Sequence, residues 1–83
     1  MKNTAINEQV SVTQLGFKKD LAAYPRRIEF RGTVYEFVDS GLRCLVRRGN
    51  SLVEIISLSD GLNIFRLKHD RHSGSWTLLS IGS

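Results

Sequence analysis

The feature that most constrains this chain is the regular recurrence of turn residues after Pro25. Gly32-Thr33, Asp39-Ser40-Gly41, Arg48-Gly49-Asn50-Ser51, Ser59-Asp60-Gly61 and the polar stretch 69–75 punctuate it about every 8 to 12 residues. The runs between them are short and rich in β-branched and aromatic residues, so they read as strands at 27–31, 34–38, 42–47, 52–58, 63–68 and 76–81. The expected fold is mainly β: a small antiparallel meander curling into a five- or six-stranded barrel or sandwich.

Upstream of Pro25 the pattern is weaker. Residues 1–12 show no clear period and read as a flexible tail. A short helix is expected over 13–23, with Thr13 as cap, Leu15, Phe17 and Leu21 as an apolar stripe and Pro25 as the stop. Gly16 weakens that helix by about 1 kcal/mol relative to alanine. The domain itself is expected to span 13–83.

Eighty-three residues hold one core and leave no room for a second. A chain of this size buries only about 60 to 65% of its unfolded surface, so packing must be economical. Cys44 is the single cysteine and cannot form an internal disulfide. No run approaches the roughly 18 apolar residues needed to cross a bilayer, so no membrane partner is expected. The first eight residues carry one lysine and no apolar stretch, unlike an export signal. With one free thiol, the expected location is the reducing cytoplasm.

Strand alternation then assigns faces. On 27–31, Ile28 and Phe30 point inward while Arg27, Glu29 and Arg31 point out. On 42–47, Leu42, Cys44 and Val46 are expected inside and Arg43, Leu45 and Arg47 outside. On 63–68, Phe65 and Leu67 oppose Ile64, Arg66 and Lys68. On 76–81 either Trp76 and Leu78, or Thr77, Leu79 and Ile81, face in. Tyr35 and Phe37 form the better core pair of their strand, and Val53 and Ile55 are expected inward on theirs. That arrangement leaves Val34, Val38, Leu45, Ile56, Leu58 and Ile64 on a second apolar face that something must cover. The helix, tight closure of the sheet, or a partner surface would each serve, and the six residues are the candidate partner-binding set.

The net charge of +4 admits nucleic acid as an alternative partner. Arg26, Arg27, Arg31, Arg43, Arg47, Arg48, Arg66, Lys68 and Arg71 would contact phosphates, with Trp76 or Tyr35 stacking on a base. The same alternation also places Glu36 and Glu54 between arginine-bearing strands, where cross-strand pairs explain most of the charge without a ligand.

Catalytic and metal signals are sparse. His69-Asp70-Arg71-His72 has His-x-x-His spacing, but a third histidine and a second cysteine are absent and Arg71 sits where a cation would. Cys44 reads as a small core residue rather than a nucleophile. Gly49-Asn50 and Asp60-Gly61 are turn chemistry, not phosphate cradles. A barrel this small would leave little room for a ligand pocket. The expectation is a non-enzymatic binding module without cofactor or small-molecule substrate. It would act on a protein partner or on itself, with nucleic acid as the alternative.

Overall fold

The computed structural model describes residues 3–20 and 22–83. It contains seven strands: β1 (Asn3–Phe17), β2 (Ala23–Phe30), β3 (Thr33–Glu36), β4 (Leu42–Arg48), β5 (Ser51–Ser59), β6 (Ile64–His69) and β7 (Trp76–Gly82). They form one antiparallel sheet in the order β3-β2-β1-β7-β6-β5-β4. The mainly β class and the turn positions of the sequence reading hold. The sheet keeps two edges, β3 and β4, and is not closed into a barrel.

The N-terminal region departs from expectation. Residues 13–17 continue a strand rather than start a helix, and Leu21 lies outside the described residues. The supposed tail forms most of β1, an interior strand between β2 and β7. The first half of β1 pairs with β7 and its second half with β2. Its inward row is Ile6, Glu8, Val10 and Val12, so a charged residue interrupts the apolar alternation. Register shifts between Ala5 and Glu8, between Val12 and Gln14, and between Gln14 and Leu15 break the period further. Asn7, inside the first shift, has φ 56°, a left-handed conformation that asparagine adopts more readily than most residues. Gly16 is required for a different reason: a Cβ there would collide with the ring of Tyr24, its partner on β2.

Two meanders meet at β1. The first runs β1–β2–β3. Residues 37–41 then cross to the opposite edge, and β4–β5–β6–β7 returns to pair with β1. The crossing is anchored on both halves. The Phe37 amide donates to the Arg26 carbonyl at 2.9 Å, the Val38 amide to the Ser59 carbonyl at 2.8 Å, and the Ser59 amide to Asp39 Oδ1 at 3.1 Å. The halves face each other across aromatic contacts. Tyr35 and Phe37 both pack on Phe65, with ring centroids 5.0 and 5.2 Å apart. Ile28, Phe30, Ile56, Leu58, Leu67, Trp76, Leu78 and Val10 complete the buried core.

The register corrects two face assignments. On β5 the buried row is Glu54, Ile56 and Leu58, while Val53 and Ile55 are half-buried on the other side. The pairs Arg43↔Ile56 and Leu45↔Glu54 put Arg43 and Leu45 on the inward side of β4, and Cys44 is exposed. A lone charged residue, Glu54, makes the Ile56 row look external in the sequence. In the fold Glu54 is screened by cations, so Ile56 and Leu58 can be buried completely on the same row. On β7 it is Trp76 and Leu78 that face in. The simple meander order also fails, because β3 and β4 are opposite edges rather than neighbours.

Candidate interaction surface and charged cleft

The free edge β4 and the outer face it shares with β5 form one candidate site. The pairs Leu42↔Ser57, Cys44↔Ile55 and Val46↔Val53 line that face, and Ile55 in turn lies beside Lys68, Ser57 beside Arg66. The result is an apolar patch of Leu42, Cys44, Val46, Val53 and Ile55 bordered by basic side chains. Leu42 is 80% exposed at the edge, and Leu45 is 52% exposed on the opposite face of the same strand. A hairpin turn at Gly49-Asn50, with Gly49 at φ 57°, holds β4 against β5. Among the described residues, no strand pairs with the other side of β4.

The six partner-binding residues expected from sequence are divided by the fold. Ile56 and Leu58 are core residues with no exposure, which removes them from any surface. Val38 and Ile64 are exposed and flank Ser59, at the corner of the outer face. Leu45 lies on the edge itself, and Val34 stands apart on β3. The outer face of β4 and β5 instead carries Leu42, Cys44, Val46, Val53 and Ile55, which the sequence reading placed inward or did not single out. The signal was present: β4 and β5 are apolar on both faces, and only the phase was inverted.

The arginines expected to bind phosphate are also divided. Arg27 pairs with Glu36 at 2.7 Å, and Arg31 pairs with Glu8 across the β1–β2 hairpin. That contact, a hydrogen bond reinforced by charge attraction, raises the Arg31 pKa further. Arg43 is drawn inward to Glu54 and also donates to the Ala23 carbonyl, so it ties β4 to β2. Among the described residues, Arg26, Arg47, Arg48, Arg66 and Lys68 form no ion pair. Tyr35 and Trp76, the candidate stacking residues, pack into the interior.

Glu54 is the one buried charged residue among those described, with 3% exposure. Three cationic or titratable groups surround its carboxylate: Arg43 Nη1 at 3.3 Å, His69 Nδ1 at 3.5 Å and Arg71 Nη2 at 3.8 Å. His69 stacks flat on Trp76, with centroids 4.1 Å apart and planes 6° from parallel. The two histidines of the His-x-x-His spacing therefore differ: His69 is built into the wall, while His72 stands on the exposed loop. Asp70 holds that loop by accepting from the amides of His72 at 2.9 Å and Ser73 at 3.3 Å. Those backbone hydrogen bonds, His72 first, keep the Asp70 carboxyl below its ordinary pKa.

A cleft of about 700 Å³ opens beside this cluster, between the β4–β5 turn and the β6–β7 loop. That is more room than the size of the chain suggested. Its walls come from residues 50–53 and 68–72, two segments that only the β5–β6 pairing brings together.

Comparisons with protein-family models, with curated proteins and with solved structures give no match.

Proposed function

We propose that this chain is a small non-enzymatic interaction module that pairs the β4 edge of one copy with that of another. The observation that carries the reading is β4 itself: a seven-residue edge strand, uncovered, with exposed leucines on both faces. An unpaired edge presents a row of amide and carbonyl groups that another strand satisfies readily. A two-fold pairing is self-complementary when centred on Cys44. It sets Leu42 opposite the partner copy's Val46, Cys44 opposite Cys44 and Arg43 opposite Leu45, so apolar residues meet and no arginine faces another. Centring on Leu45 would set Arg43 against Arg47 twice, which disfavours that register.

Disulfide trapping tests the register. Residues directly opposite in an antiparallel pair lie within the Cα separation that a disulfide spans. Mild oxidation should link wild-type copies through Cys44 rapidly. The single-cysteine variants Leu42→Cys and Val46→Cys, each made in Cys44→Ser, should link far more slowly. Equal rates at all three positions would contradict the register.

A further inference from the structure

We propose that the cleft beside Glu54 binds an organic phosphate monoester. The volume of about 700 Å³ falls within the usual range for small-ligand sites, which is about 300 to 1,000 Å³. Lys68, Arg71 and His72 line one side; Ser51, Leu52 and Val53 line the other. The acids nearby are already engaged. Asp70 is turned to the amides of its own loop, and Glu54 lies beneath the surface among Arg43, His69 and Arg71. Arg47 and Arg48 stand opposite Leu52 and Ser51 in the β4–β5 pairing, next to the lining. Apart from the inward Arg43–Glu54 pair, four cations in or beside the lining (Arg47, Arg48, Lys68, Arg71) stand against one carboxylate (Asp70), an excess of three positive charges.

A group of nearly two negative charges suits that excess, and a phosphate monoester carries about −1.5 to −2 at neutral pH. Arg71 is held only loosely by Glu54, at 3.8 Å, so its planar fork can turn to a phosphate. A bare phosphate would fill little of the space. Leu52, 40% exposed, and the half-buried Val53 supply an apolar wall for the body of the ligand. This inference does not rest on the β4 pairing, although Val53 and Lys68 border both surfaces and Arg47 and Arg48 belong to β4.

Trp76 is the only tryptophan, and it stacks on His69 in the cleft wall, which makes its fluorescence a local reporter. The test is a titration of the intact chain with phenyl phosphate at constant ionic strength. A saturable change is expected, with affinity weakened about tenfold in Arg71→Gln and in Lys68→Gln through loss of a charge-assisted hydrogen bond. Inorganic phosphate should bind more weakly than phenyl phosphate, and a mixed-sequence single-stranded oligonucleotide should not bind better. No saturable change, or unchanged affinity in both variants, would overturn the site. Equal binding of inorganic phosphate would overturn the apolar part of the ligand. Preferential binding of the oligonucleotide would overturn the monoester in favour of a nucleic-acid backbone.

Discussion

The two edges of the sheet are built in opposite ways. β3 has four residues, is held by a tight turn at Arg31-Gly32 with both φ values positive, and turns Tyr35 inward onto Phe65. Its Glu36 is occupied by Arg27. β4 has seven residues, its leucines are exposed on both faces, and of its three arginines Arg43 is bound to a buried glutamate rather than guarding the edge. Short, charge-paired edges resist strand addition, whereas long apolar ones invite it. The difference is what the proposed pairing through β4 rests on.

The contrast extends to the two faces of β5, the strand beneath that edge. Ile56→Ala should cost about 3 to 4 kcal/mol in chemical denaturation, because Ile56 is fully buried in the core and its loss leaves a cavity. Ile55→Ala, one residue along and half-buried on the outer face, should cost about 1 kcal/mol or less and should weaken association instead. Similar losses at both positions would erase the distinction between core face and contact face.

The two glutamates sharpen the comparison of the edges. Glu54→Gln should destabilise the domain by about 2 to 3 kcal/mol, since it leaves the part-buried Arg43 without its counter-charge. Glu36→Gln on β3 should cost less than about 1 kcal/mol and become negligible at high salt, because both partners of its ion pair are exposed. If the two variants proved equal, the inward position of Glu54 would be wrong.

The Asp70 loop offers a smaller effect. Its carboxyl pKa is depressed in the folded state, so its contribution is present above the ordinary aspartate value. That contribution should fade as pH falls through the lower folded value, and Asp70→Asn should flatten that part of an acid-denaturation profile.

Much of the fold was legible in the sequence. Strands β2 to β7 follow from alternation and turn residues, as with Ile28 and Phe30 against Arg27 and Arg31. The rest was obscured for identifiable reasons. β1 hides behind Glu8 and three register shifts, so its period of two never runs long enough to register. The inward phase of β5 is hidden by a lone glutamate that looks solvent-facing; its neighbours Arg43, His69 and Arg71 are brought near only by the folded pairing. The cleft shares that origin, in segments about twenty residues apart in the chain. The two-sided apolar character of β4 and β5, by contrast, is visible in the sequence itself, as in Leu42, Leu45 and Val46 or Val53, Ile55 and Ile56.

Solution mass by light scattering, at low and at high salt, bears most directly on the role of β4. A dimer at both salts is expected, with no loss at high salt because screening relieves repulsion between the basic edges, and Leu45→Pro should return it to monomer. A wild-type chain that stays monomeric at millimolar concentration in both conditions would contradict pairing through β4.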